Sequence, residues 1–231
     1  MYFDAIIIGA GFSGLYQLHQ CRDQIGLKTL LIEEGKEVGG TWYWNKYPGS
    51  RCDTESHIYC YTFSKEIYQN WKWKERYPKQ KEILSYLKYV EKKLSLKRDI
   101  IFNNRVNSAF YLDEKNLWRV KTNKNKTFYC KYLISAVGSL STTNVPNIRG
   151  LKNFKGGWYH TGRWPNKKIS FKNQKVAQIG TGSSGIQIAP VLAKSVKSLT
   201  VFQRTPNYSV PARNKKPVSY THLTLPTTRC G

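Results

Sequence analysis

Two glycine triplets share one spacing and one kind of surroundings. Gly9, Gly11 and Gly14 follow the apolar run "DAIIIG" and open "LYQLHQCRDQ"; Gly180, Gly182 and Gly185 follow "KVAQIG" and open "IQIAPVL". In such a triplet the first glycine permits a tight turn and the second lets backbone approach a pyrophosphate. The third lets helix pack on strand, so that phosphates meet the positive end of a helix. The triplet alone is a weak signal, and its weight comes from the strand before it and the helix after it. Phe12 and Ser13 lie inside the first triplet. Thr181, Ser183 and Ser184 lie inside the second, where the two serines can donate to phosphate oxygens.

The strands that follow end differently. "LKTLLIEE" reaches Glu33 about twenty residues beyond the first glycines, where a carboxylate can accept from a ribose hydroxyl pair. "SLTVFQRT" ends instead in Arg204 and Thr205. A carboxylate there would favour NAD by binding the ribose 2′-hydroxyl, whereas arginine pairs with a 2′-phosphate, so the second site is expected to take NADPH. Two dinucleotide sites on one chain suggest a flavin reduced by a nicotinamide.

Two further stretches carry reactive side chains without helical or strand periodicity. "GGTWYWNKYPGSRCD" holds Gly40, Thr41, Trp42 and Asp53, and Tyr59 follows it; the aperiodic run from Gly39 to Phe63 is too long for an ordinary connector. "FKGGWYHTGRWP", Phe154 to Pro165, places one histidine, His160, among glycines and aromatics. A shaped loop explains both. For His160, packing against a core edge and a role in function stand side by side.

These residues need a scaffold, and the chain supplies one. At 231 residues and 40% hydrophobic content it can bury one large core or two small ones. Asp4 to Glu33 reads as strand, turn, helix, strand, with Leu15, Leu18 and Cys21 at helical spacing. "PKQKEILSYLKYVEKKLSL" puts Ile83, Leu84, Leu87, Val90 and Leu94 on one helical face. Asp99 to Ser139 reads as short strands with turns at Asn103-Asn104, Asp113-Glu114 and Asn123 to Asn125, an expected antiparallel meander. The fold class is α/β with two Rossmann-like dinucleotide folds. Expected boundaries are 1–143 for an FAD-binding domain with its meander, 144–165 for a linker, and 166–217 for a truncated NADPH-binding domain.

The formal net charge of +24 raises nucleic-acid binding, but the lysines are spread along the chain and no nucleic-acid motif accompanies them. Solvated surface lysines account for them better. No apolar run approaches membrane-spanning length, and the chain enters its first strand too early for a signal peptide. Five cysteines lack CxxC or zinc-like spacing, so a reduced, cytoplasmic chain without a metal site is expected.

The combination resembles the Baeyer–Villiger monooxygenases. Gly40, Trp42, Tyr47-Pro48, Gly49 and Asp53 match the family's aromatic loop after the second strand of the FAD fold, and Phe154, Gly156, His160 and Trp164 match its fingerprint. The resemblance runs from Asp4 to about Pro217. It implies FAD held by the first triplet, Glu33 and the aromatic loop through Tyr59, and NADPH held by the second triplet, Arg204 and Thr205. The implied reaction inserts one atom of dioxygen beside a ketone carbonyl to give an ester or lactone. Asp53 would sit by the flavin and help orient a cationic group, and His160 would couple domain position to cofactor occupancy.

Two alternatives remain at this point. N- or S-oxygenating flavin monooxygenases share both triplets but usually lack Trp164-Pro165, and a non-catalytic flavin and nicotinamide redox module would not need the two loops. Relatives of this family continue beyond the second βαβ unit with an arginine needed for oxygenation. The chain as given is therefore expected not to oxygenate ketones alone. Its last stretch, "VSYTHLTLPTTRCG", is expected to be a non-native tail over 218–231, since codons for Val218 to Thr227 can resemble a transposon-end sequencing adapter.

Overall fold

The computed structural model describes residues 1–216; Pro217 and the expected tail 218–231 lie outside the described residues. In chain order the elements are β1 (Tyr2–Ile8), α1 (Phe12–His19), β2 (Thr29–Ile32), α2 (Thr41–Trp44), α3 (Lys65–Asn70), α4 (Gln80–Lys93), β3 (Ile100–Ile101), β4 (Val106–Leu112), β5 (Leu117–Thr122), β6 (Thr127–Ser135), β7 (Lys175–Ile179), α5 (Ser183–Leu192) and β8 (Ser198–Phe202). They divide into two units. One comprises Met1–Asn45 and Leu84–Arg163; the other, among the described residues, comprises Lys46–Ile83 and 164–216.

The first unit is built on a six-stranded sheet in the order β3-β2-β1-β6-β5-β4. β1 and β2 are parallel, with Ile6 opposite Leu30 and Ile8 opposite Ile32. Their continuous apolar runs fit strands covered on both faces. Ile6, Leu30 and Ile32 pack with Val120, Phe128 and Cys130 into one core cluster. α1 buries Gly14, Leu15 and Leu18, and the π-helical turn Gln20–Gln24 that continues it buries Cys21, so the helical spacing read from the sequence faces the core.

The expected meander is present as β4-β5-β6, with one amendment. β3 pairs parallel with β2, and β6 pairs parallel with β1 on one edge while pairing antiparallel with β5 on the other. Meander and parallel strands are therefore a single sheet, because nine-residue β6 serves both. The connections fall where the sequence puts them. Asn103, Asn116 and Asn125 take positive φ of 55°, 49° and 56°, a region asparagine tolerates.

In α4, Ile83, Tyr86, Leu87 and Val90 are buried; Leu84, and Leu94 just past the helix, are only half-buried, and Tyr86 takes a core position that the aliphatic pattern does not mark. Arg22 ties the turn after α1 to the end of this helix. Its guanidinium donates to Asp23 through Nε (2.6 Å) and Nη2, to Asp99 (2.8 Å), and to the carbonyls of Leu94 and Ser95.

In the second unit β7 and β8 are parallel, with Val176 opposite Leu199 and Ile179 opposite Phe202. Ile188 and Leu192 of α5 bury against Tyr47, with Trp164, Phe171, Val176 and Leu199 around them. The segment from Ser50 to Ser56 lies along 76–80: Gln80 N donates to Ser50 O, Cys52 N to Pro78 O and Ser56 N to Arg76 O. Glu75 carries ion pairs to Lys79 (2.7 Å) and Arg51 (3.6 Å). Among the described residues, no helix is long and apolar enough to cross a membrane.

Candidate functional site

The first glycine turn sits between β1 and α1. Gly9 has φ +103°, and a Cβ there would fall 2.6 Å from the Ala136 carbonyl oxygen; a Cβ on Gly14 would fall 1.8 Å from the Gly9 carbonyl oxygen. Both positions need glycine for the fold itself. Gly11 does not. Its φ of −84° and ψ of −166° suit any residue, and a Cβ there would make only an ordinary 3.5 Å contact with Gly40. The N-cap of α1 is Gly11, which makes no side-chain cap hydrogen bond to the helix.

Glu33 and Gly40 converge on this turn. Glu33 is buried, and its carboxylate accepts from Ala10 N and Gly35 N, each at 2.6 Å. Burial pushes its carboxyl above the ordinary carboxylate range, against the opposing pull of those two amides. Each oxygen spends one lone pair on an amide and retains another for a hydroxyl donor. Gly39 N donates to Ala10 O, and Gly40, at φ +51°, comes so close that a Cβ on it would lie 2.7 Å from Gly11 Cα. α2 begins there, correcting the expectation of an uninterrupted loop: Thr41 is half-buried and Trp42 buried in its single turn. Phe12 stacks obliquely near Tyr86 at 6.2 Å between ring centroids, and Ser13 is exposed.

The second turn repeats the first. Gly180 has φ +98°, and a Cβ on Gly185 would lie 2.5 Å from the Gly180 carbonyl oxygen. Gly182 has an ordinary φ of −69°, and a Cβ there would meet no protein atom within 4 Å. α5 lacks a side-chain cap, and Ser183 and Ser184 begin it. The strand-end loop leans on this turn: Gln203 Nε2 donates to Thr181 Oγ1 (2.8 Å) and Asn207 Nδ2 to Thr181 O (3.2 Å). Arg204 and Thr205, both exposed, lie between those two anchors.

The structure thus brings together Gly9 to Gly14, Glu33 and Gly40 to Trp42 in one unit, and Gly180 to Gly185 with the loop carrying Arg204 and Thr205 in the other. Asp53 and Tyr59 belong to the second unit; Asp53 is exposed, and Tyr59 is half-buried with its N donating to Glu55 O. His160 belongs to the first unit, where Nδ1 accepts from Gly162 N at 3.1 Å. In a neutral ring that bond leaves the proton on Nε2. The fingerprint stretch is itself split between the units, at Arg163/Trp164.

Two glutamines escape the sequence reading. Gln178 on β7 is buried and donates to both Gly180 O (2.9 Å) and Gly185 O (3.1 Å), pinning the second turn to its helix. Gln187 on α5 accepts from Tyr47 OH (2.9 Å) and Arg51 N (3.1 Å) and donates to Arg51 O (3.1 Å). A polar residue inside a helix carries no periodic signal. Only the strand position of Gln178, polar within an otherwise apolar run, could have marked one of them.

The family model for pyridine nucleotide-disulphide oxidoreductases matches residues 6–223. The chain is 45% identical over 214 residues to a cyclohexanone 1,2-monooxygenase of Acinetobacter sp., covering 93% of this chain and 39% of that protein. It is 43% identical over 215 residues to a phenazine N-monooxygenase of Lysobacter antibioticus, covering 93% of this chain and 40% of that protein. The crystal structure of cyclohexanone monooxygenase from Rhodococcus sp. Phi1 bound to NADP+ superposes with a TM-score of 0.90 at 43% identity, over 95% of this chain and 41% of that one. The chain thus spans about two-fifths of the length of the curated relatives it matches.

Proposed function

The chain belongs to the pyridine nucleotide-disulphide oxidoreductase family, and from that premise we propose that it forms the FAD- and NADPH-binding part of a cytoplasmic Baeyer–Villiger monooxygenase acting on a small ketone with O2. One observation carries the cofactor reading. Gly11 and Gly182 have backbone angles open to any residue and no clash that demands glycine, while their neighbours Gly9, Gly14 and Gly185 are demanded by packing. Close approach of a pyrophosphate supplies the missing reason at both, beside an uncapped helix start.

In this reading residues 1–143 hold FAD and 166–217 hold NADPH, with 144–165 between them. Glu33 receives the ribose hydroxyls of FAD through its remaining lone pairs. Gly40 and Trp42 shape the wall beside Gly11. Ser183 and Ser184 donate to the phosphates of NADPH, and Arg204, with Thr205 beside it, pairs with the 2′-phosphate. When bound, the flavin supplies the two-electron chemistry that activates dioxygen; the protein supplies orientation and exclusion of water. Asp53 orients a cation beside the flavin, and His160, its Nδ1 spent on Gly162, relays domain position rather than protons.

The phenazine N-monooxygenase match keeps a second reading in view, oxygen transfer to an aromatic nitrogen, because its identity to this chain is close to that of the ketone enzyme. Trp164-Pro165 and the aromatic loop favour the ketone reading. The test has two steps. Titration of the purified chain with FAD and with NADP+ is expected to give one site for each, and absence of flavin binding would overturn the cofactor assignment. The whole gene product, given NADPH, oxygen, ketones and N-heterocycles, is expected to yield esters or lactones; N-oxides alone would establish the second reading.

A further inference from the structure

We propose that Gln187 is a positioning residue. It clamps the aromatic loop to α5, so that order imposed on this helix by a bound dinucleotide reaches Asp53. The proposal rests on the reading that α5 serves NADPH and Asp53 the flavin. Every second residue from Tyr47 to Arg51 touches Gln187. Tyr47 OH donates to its Oε1 at 2.9 Å, and Arg51 N donates to the same oxygen at 3.1 Å. Its Nε2 returns a bond to Arg51 O at 3.1 Å. Gly49, at φ +86°, lies so close that a Cβ there would fall 2.4 Å from the Gln187 carbonyl oxygen.

The side-chain amide therefore pairs with the Arg51 backbone as a second peptide group would, donor to acceptor and acceptor to donor. Tyr47 adds a buried anchor, since its ring packs on Ile188 and Leu192 of the same helix. Arg51 is two residues from Asp53; its side chain makes a looser ion pair with Glu75 at 3.6 Å, and its backbone bridges antiparallel to Lys79, on the side away from Gln187's bonds to Arg51 N and O. Gln187 itself stands five residues after Gly182, on the helix whose first turn faces the phosphates in that reading. A ligand that stiffens α5 would stiffen the Arg51 backbone through these bonds.

Hydrogen exchange on the whole 231-residue chain tests this. In Gln187→Ala the Arg51 amide should exchange about tenfold faster than in the wild type, the effect of losing the paired bonds. Gln187→Glu distinguishes the clamp from simple packing. At pH 8 its carboxylate can accept from Arg51 N but cannot donate to Arg51 O; at pH 5 a protonated fraction regains the donor. Exchange relative to wild type at the same pH should therefore be fast at pH 8 and partly restored at pH 5. Saturating NADP+ should slow Arg51 exchange in the wild type and not in Gln187→Ala. Unchanged exchange in Gln187→Ala, or equal slowing by NADP+ in both proteins, would overturn the proposal. Calorimetry of NADP+ on the wild type reports separately: no binding there overturns the nucleotide reading, while the exchange of the unliganded variants still decides the clamp.

Discussion

Gly14 faces Gly9 so closely that a Cβ on Gly14 would lie 1.8 Å from the Gly9 carbonyl oxygen, a backbone atom that cannot swing aside. Gly185 and Gly180 repeat the relationship at 2.5 Å. Gly185→Ala should consequently cost more than about 4 kcal/mol of stability or prevent folding of the second unit. Gly182→Ala should cost under about 1 kcal/mol yet weaken NADP+ binding tenfold or more. Urea denaturation and calorimetry separate the two effects; equal losses of stability would mean that Gly182 serves the fold.

Arg204 is exposed on a loop held to Thr181 from both sides, by Gln203 and Asn207. Arg204→Ala should remove one charge-assisted contact of about 1.5–3 kcal/mol, or roughly 10- to 150-fold in affinity for NADP+. Affinity for NAD+ should stay the same. Equal losses for both nucleotides would show that Arg204 does not read the 2′-phosphate.

Glu33 is a carboxylate whose folded-state pKa is raised by burial. The native state therefore holds its proton more tightly than the unfolded chain does. The associated stability is fully present below the ordinary carboxylate value of 4.5 and is lost as pH rises through the higher folded value. Glu33→Gln removes this titration. Measured by urea denaturation across that pH range, the variant should gain on the wild type with rising pH and then run parallel to it. A constant difference would mean that Glu33 does not titrate in that range. Because Gln has one carbonyl oxygen for two amide donors, FAD affinity should fall as well.

Burial pushes the thiols of Cys60 and Cys130 up to about 11 and raises those of Cys21 and Cys52. At pH 8 a thiol of pKa about 11 is ionised in roughly one molecule in a thousand, against about one in four for an ordinary thiol. Alkylation of the native chain at pH 8 should leave all four unmodified, and alkylation in denaturant should label them all. Rapid native labelling of Cys52, next to Asp53, would show that the aromatic loop opens.

Much of where the candidate site residues lie could be read from residue types. The glycines declare themselves because they sit where an apolar strand meets a helix, and Glu33 and Arg204 because they end the strands that follow. The asparagine turns are equally local. What could not be read is non-local. Nothing in "TFYCKYLIS" says that its two edges take partners of opposite direction. Nor does Tyr47 announce that it will bury against Ile188 and Leu192, far along the chain. The division that groups Lys46–Ile83 with residues 164–216 rests on such contacts, and Gln187 joins them through hydrogen bonds that leave no pattern in the sequence.

The pairing of Ile6 with Leu133 sets a schedule for the nascent chain. β1 (Tyr2–Ile8) is synthesised more than a hundred residues before β6 (Thr127–Ser135), the strand that covers its second edge. At ordinary elongation rates that interval is roughly ten seconds. Closing so long a loop also costs roughly 4 kcal/mol of chain entropy. Throughout the wait "AIII" and "TLLI" present apolar faces and open edges to whatever is nearby. The stretch from β1 to β2 is therefore expected to gain from ribosome-associated holdases, and soluble yield should respond to them and to slower synthesis at low temperature more than to the stability of the finished sheet.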